Sequence, residues 1–534
     1  MSRLRASLAS FLVVTAAAAA AAAAGPAAAP RDSQTAVPRG TRASLAQSIL
    51  TQVVPAPPGP AGPVFPEEEF RAQQPASGKM SAFRVPKIER FALANGIEVY
   101  LVERHQLPTV AMQLVVAGGA SDDPPGKEGL ASMAMTLLGD GTEKLDKIAF
   151  REALADLASS VSTGAGIDQQ SVSMSTLARN LDATLDLWAD TLLRPGMRQD
   201  EFDRDIKQRQ TALAQLKGSP AGVAGRLDNS LIFGPEHAYG RFATEASIGA
   251  ITLDECKRCV ADHLAPAGAK LYVVGDITRA EIESKVGGRL AGWQGKPKPN
   301  AAVGAPRPRA GSIFVVDVPK APQSVIRLVH LGPKRQAADY FPTSVMSSIL
   351  GGGFASRINM NIREKHGYAY GARGGFNYIR QAGTFVASAS VKSDKTKESI
   401  QEMRKEIEGI RAAEATDEEM TREKDGSILA LPAQFATGEQ ILGTYQNLVY
   451  FGLPLDYYES VIPKVQAVTK QQVLAAARAH LQPDKLQLLV VGDAKTVLPG
   501  IRELIAGKEL QGDVVMLDAD GNAVPEPTGG APGR

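Results

Sequence analysis

The 534-residue chain carries no excess charge of either sign: 59 Lys and Arg stand against 57 Asp and Glu. No chain-wide field draws it to nucleic acid or acidic lipid, so no nucleic-acid partner is expected. Beyond the N-terminal segment no run of 18 apolar residues occurs, so no stable membrane anchor is expected either. Cysteine is nearly absent. Cys256 and Cys259, spaced C-x-x-C, have neither two further ligands nearby nor a redox βαβ setting, and read as two residues on one helix face. The six histidines (His105, His237, His263, His330, His366, His480) include no two within five residues. That spacing excludes the helical zinc pairs H-E-x-x-H, H-x-x-E-H and H-x₃-H.

What is present divides the chain. Arg3 and Arg5, the apolar Leu8–Val14 with the alanines after it, and small residues through Ala24 make residues 1–25 an expected, cleaved export signal. Export places the protein in the periplasm. Residues 26–85, rich in Ala and Pro, read as a flexible leader. Breakers over 295–310 mark a central linker, and the Pro/Gly-rich end makes 511–534 an expected disordered tail. Two domains, 86–294 and 311–510, remain.

These domains are related. Ile251–Asp276 aligns without gaps on Val468–Asp493 at a constant offset of 217 residues, with Thr, His-Leu, Pro and Leu-x-Val-Val-Gly-Asp in identical places. One copy per half signals duplication of a whole domain. Asn95-Gly96 is a tight-turn signal before the β-rich Ile97–Val102, and Val110, Met112, Leu114 and Val116 alternate as in a half-buried strand. Phe150, Leu154, Leu157 and Val161 form one helical stripe; Leu177, Leu181, Leu185, Trp188 and Leu192 form another, stopped by Pro195-Gly196. The expected class is α+β: two homologous domains, each a mostly antiparallel sheet with helices packed on one face. His263 and His480, at equivalent helix ends, are expected to cap or pack rather than bind metal. Gly351-Gly352-Gly353 lacks the Gly-Lys-Ser/Thr of a phosphate loop and points to close helix packing.

Phe91–Glu103 (FALANGIEVYLVE), Gly118-Gly119-Ala120-Ser121-Asp122-Asp123, the helix opening Gly129-Leu130-Ala131, His237-Ala238-Tyr239-Gly240 and the Val-Val-Gly-Asp strand ends follow in order. Together they resemble the M16 (pitrilysin/insulinase, mitochondrial-processing-peptidase-like) metallopeptidases, over roughly residues 86–505. The resemblance implies a half-shell of two domains. It also implies a helix bearing the inverted zinc motif H-x-x-E-H, whose positions here hold Ser132, Met135 and Thr136. The family's third ligand, a Glu, falls near Leu213, within Arg209–Lys217, which contains no acid. Hydroxyls and a thioether neither hold zinc nor take a proton from water, so no metal is expected on this chain.

Arg363 and Tyr370, seven residues apart in Asn361–Tyr370 (NIREKHGYAY), resemble the family's Arg/Tyr pair; Tyr368 is a near neighbour. The resemblance implies that the pair crosses to another half-shell and stabilises charge on the substrate carbonyl. The expectation is a non-zinc subunit of a periplasmic heterodimeric peptidase. Its partner would carry H-x-x-E-H and zinc, and peptides would be the substrates, held in part by edge strands of the first sheet. The alternatives are a catalytically silent scaffold or peptide-binding protein of the same fold, and an autonomous enzyme built on distant ligands.

Overall fold

The computed structural model describes residues 83–526. The expected signal (1–25) and nearly all of the leader (26–85) lie outside these residues. In the first sheet, β1 (Glu89–Ala92), β2 (Glu98–Glu103), β3 (Thr109–Ala117), β4 (Ser160–Ala165), β5 (Gln169–Leu177) and β6 (Lys270–Gly275) run in the order β1-β2-β6-β3-β5-β4. Only the β2–β6 pair is parallel. The second contains β7 (Ile313–Asp317), β8 (Gln323–Gly332), β9 (Ala369–Ile379), β10 (Ala382–Lys392), β11 (Gln487–Gly492) and β12 (Val514–Leu517), ordered β12-β7-β11-β8-β10-β9. Here β7 pairs in parallel with β11 and β12, and the other ladders are antiparallel. The fold is α+β, with two similar halves.

The internal repeat is kept at the level of single hydrogen bonds. The helix Leu253–His263 feeds β6, and the helix Lys470–His480 feeds β11 at the same offset. Thr252 and Thr469 begin these helices, each accepting the N–H of the residue three on, Glu255 or Gln472. That residue's side chain accepts the threonine's own N–H in return.

Central strands are apolar on both faces, and each face has a different cover. Val99, Leu101, Met112, Leu114, Leu271 and Val273 pack on the first half's own helices, including Leu130–Leu138 and Leu181–Leu193. Tyr100, Val102, Ala111, Val115, Tyr272 and Val274 point the other way, onto Ile441, Leu442, Tyr445 and Leu448 of the second half's helix Gly438–Tyr450. The arrangement is reciprocal. Phe314, Val316, Val325, Val329, Leu489 and Val491 are covered by Val223, Leu227, Leu231 and Phe233 of the first half's helix Pro220–Phe233. The repeat offset superposes these two helices to within one residue. Each large side chain so buried contributes about 2 kcal/mol.

A polar knot pins the exchange. The Asp168 carboxylate, 3% exposed, accepts from the hydroxyls of Tyr239 (3.0 Å) and Tyr450 (2.7 Å). Arg380 donates from Nη2 to the Asp168 carbonyl (3.0 Å) and from its main chain to the Tyr450 oxygen (2.9 Å). Burial and the neighbouring carboxylate push both tyrosine pKa values up.

Three sequence expectations need correction. The segment 511–526 is not disordered: Val514–Leu517 is apolar, pairs with β7 as β12, and buries Met516 and Leu517. Covering the exposed edge of β7 outweighs the Pro/Gly content that follows. The first helical stripe stops early, because Lys147–Asp156 holds Phe150 and Leu154 while Leu157 caps it and Val161 lies on β4. Leu177 closes β5, and its helix starts at Leu181.

Replacing Asp168 with Ala leaves two buried hydroxyls without their acceptor, and should cost about 3 kcal/mol in urea unfolding. His330 on β8 gives a pH signature. Its Nδ1 donates to the Leu331 carbonyl (2.6 Å), Nε2 accepts from the Gln482 N–H (3.4 Å), and burial pushes its pKa down to about 4. The unfolded chain protonates this ring below about pH 6.5 while the folded chain resists until about 4. Stability should therefore fall as pH drops through that window, by up to about 3 kcal/mol, and His330→Gln should flatten the slope.

Candidate functional site

The helix Leu130–Leu138 carries the three motif positions, and its start is held by Asp123, whose buried carboxylate accepts from the N–H groups of Gly129 and Ala131 (2.8 Å each). Burial pushes the Asp123 carboxyl up to about 7, against those two hydrogen bonds. Met135, where the resemblance puts the general base, is fully buried in the first core, and Leu213, near which it puts the third ligand, is buried there too at 8% exposure. Ser132 and Thr136 lie one turn apart on the partly open face, where one side chain bridges them. The guanidinium of Arg209, on the helix Gln199–Lys217, donates from Nη1 to Ser132 Oγ (3.1 Å) and from Nη2 to Thr136 Oγ1 (2.9 Å). Its Nε donates to Asp205 Oδ2 at 2.6 Å. The Thr136 hydroxyl donates its own proton to the Ser132 carbonyl (3.0 Å), which leaves its lone pairs for the arginine. Two hydroxyls, a thioether and a fixed cation do not fit Zn²⁺, which needs imidazole, thiolate or carboxylate ligands. Among the described residues no cluster of three or more His, Cys, Asp or Glu could hold a metal elsewhere.

The role of Arg209 is not visible in the sequence, because its partners Ser132 and Thr136 lie 77 and 73 residues away. The available signal was a helical i,i+4 pair, Asp205 and Arg209, one turn before Leu213.

The second candidate cluster is built on an interrupted helix. The helix Tyr340–Ser347 widens into a π-helical stretch, Ser348–Gly352, turns extended at Gly353, and resumes at Arg357. Gly351 is required where it stands, because an added Cβ would lie 2.1 Å from the Gly374 nitrogen of β9. Asn359 ties the segment to β9, donating to the Phe354 carbonyl (2.7 Å) and accepting from the Ala372 N–H (3.0 Å).

Arg363 lies in the π-helical turn Met360–Lys365, with its guanidinium carbon 4.8 Å from the Phe354 ring centre and 5.3 Å from that of Tyr370. Its Nε pairs with Glu364 at 3.1 Å. Tyr370 is 89% exposed and Phe354 61%. A bulge explains the exposure: Tyr370 and Gly371 oppose a single residue of β10, which turns Tyr370 outward from the edge strand β9. Tyr368 instead packs inward, stacked on His366 at 4.9 Å. Among the described residues no hydrogen bond or ion pair joins the Arg363–Tyr370 cluster to Ser132, Thr136 or Arg209.

A profile described as insulinase (peptidase family M16) matches residues 98–227, and one described as the peptidase M16 inactive domain matches 250–427. Together they cover more than half of the chain. It belongs to the M16 family. This M16 chain is 22% identical over 405 residues to a non-peptidase homologue, YmxG, of Helicobacter pylori, covering 75% of this chain and 92% of that one. A crystal structure of a peptidase M16 inactive domain from Pseudomonas fluorescens superposes with a TM-score of 0.70 at 26% identity, over 76% of this chain and 98% of that. The Escherichia coli periplasmic protease PqqL shares the fold with a TM-score of 0.66 at 15% identity, over 80% of this chain and 50% of that one.

The remaining candidates of this M16 chain sit in packed settings. Cys256 and Cys259 are buried, unbridged thiols in one helix, and burial pushes both up to about 12. His480 Nε2 pairs with Asp339 at 2.6 Å, and the His263 ring packs where a Cβ on Gly118 (φ +105°) would stand. The purified chain should hold less than about one-tenth equivalent of zinc by mass spectrometry after dialysis, and Arg209→Ala should raise no zinc binding while costing about 2 kcal/mol through the unpaired Asp205.

Proposed function

We propose that this chain is the metal-free subunit of an exported, two-chain M16 peptidase, and that it lends Arg363 and Tyr370 to a partner bearing H-x-x-E-H. The observation that carries this reading is the exposed pairing of Arg363 with Tyr370 on a chain whose own metal position is closed by Arg209. A guanidinium held against two rings and a phenol turned to solvent by a bulge have little to stabilise within this chain. Facing a peptide carbonyl, they are a cation and an O–H donor aimed at one oxygen.

The partner's metal site would supply the activated nucleophile. The work of this chain is to bind the carbonyl oxygen as negative charge gathers there, with Asn359 and the Gly351–Gly374 contact keeping the helix and β9 in fixed relation. Half of PqqL is matched by this chain, so that protease has room for a second unit of the same size, which supports a pair of half-shells here. Its periplasmic setting supports the reading of residues 1–25 as an export signal; no described helix is long and apolar enough to cross a membrane.

A catalytically silent peptide-binding protein is the second reading, favoured by the plugged metal position and by the non-peptidase name of the Helicobacter relative. One assay separates them. Co-purified with an exported M16 chain that carries H-x-x-E-H, the pair should cleave a quenched-fluorescent peptide that this chain alone leaves intact. Tyr370→Phe should lower kcat about 100-fold and Arg363→Ala at least as much, with KM little changed. Pair activity indifferent to both substitutions would leave the silent reading standing.

A further inference from the structure

Arg209 is more than a plug. Of the five N–H donors on its guanidinium, one goes to Asp205, one to Ser132 and one to Thr136, and two have no partner among the described residues. The side chain is 23% exposed, so the guanidinium group's surroundings are not fully closed by protein. Its orientation is fixed from three directions, which removes most of the entropy cost of making a further contact.

The outer strand β4 runs beside the same helix. Thr163 of β4 donates from Oγ1 to the Met135 carbonyl (2.5 Å), within the turn whose Ser132 and Thr136 hold Arg209. Among the described residues β4 pairs only with β5, so its other edge offers a row of unpaired main-chain groups. An extended chain added there would have its main chain, rather than a side-chain tip, next to that helix turn. A strand interior brings only neutral amides to this place. A strand end brings a carboxylate, which matches the spare donors of a guanidinium.

We propose that Arg209 and the β4 edge form a receptor for the C-terminal carboxylate of an extended peptide, so that the first half captures peptide ends where relatives hold a metal. The site needs neither the partner chain nor the Arg363–Tyr370 pair. It contains no group able to activate water, and the bound peptide leaves unchanged.

The test is fluorescence anisotropy of the full chain with N-terminally labelled decapeptides in three forms: free acid, C-terminal amide, and amide with one internal Glu. The free acid should bind at least about tenfold more tightly than either amide. Arg209→Gln should shrink that difference below about twofold, and Arg209→Lys should keep part of it. Asp205→Asn combined with Arg209→Gln serves if the single variant melts early. Equal binding of acid and amide, no saturable binding of any form, or discrimination that survives Arg209→Gln would overturn the proposal. The internal-Glu amide matching the free acid would overturn the choice of a chain terminus. No peptidase activity enters the measurement, so its outcome is separate from that of the two-chain assay.

Discussion

Each sheet is apolar on both faces at its centre, and each half's own helices cover one face while a helix of the other half covers the second. That constraint organises the molecule. Tyr100, Tyr272 and Val274 would be bare without Ile441 and Tyr445, and Phe314, Leu489 and Val491 would be bare without Leu227 and Phe233. The exchange of the helices Pro220–Phe233 and Gly438–Tyr450 makes the duplicated halves one cooperative unit. Non-directional apolar burial sets the strength of this join, and the Asp168–Tyr239–Tyr450–Arg380 knot sets its register.

On that rigid frame the two candidate sites have opposite character. The first is half-buried and largely self-paired: a guanidinium sits against two hydroxyls and a carboxylate, and Met135, where the resemblance puts the general base, is sunk in the core. The second is open: Arg363, Phe354 and Tyr370 form a cation-and-ring cluster on an edge strand, turned outward by a bulge. Where the resemblance puts metal ligands, Arg209 is neutralised by Asp205 and held by two hydroxyls. A half-buried cation needs such a set, since an isolated one would carry an uncompensated desolvation cost. Asp205 is thus as much part of this arrangement as Arg209.

Much of the frame was legible in the residues. The strand read at β3, the Asn95-Gly96 turn (Gly96 at φ +90°) and the 217-residue repeat each map onto an observed element, although β3 is buried on both faces and not half-buried as its alternation suggested, because Ala111 and Val115 lie under the other half's helix. Periodicity misled where a helix stripe ran on into a strand, at Leu157 and Val161, because apolar spacing cannot tell the last helical turn from the next strand. The tail misled for a related reason: Val514–Leu517 is too short a run to register, and only the bare edge of β7 gives it a partner. That Ser132, Met135 and Thr136 are poor zinc ligands could be read directly, since ligation depends on residue type. Arg209 could not, because its meaning depends on which helix lies opposite.

The sequence by itself determined the duplication, the mixed sheets with helices, the family resemblance and the lack of metal-binding chemistry at Ser132, Met135 and Thr136. All of these depend on residue type and local spacing. The tertiary structure alone decided which half covers which sheet face, what fills the metal position, and whether Tyr368 or Tyr370 stands in the open beside Arg363. Those outcomes depend on contacts between residues tens to hundreds of positions apart, and on a one-residue bulge that reverses which face a side chain joins.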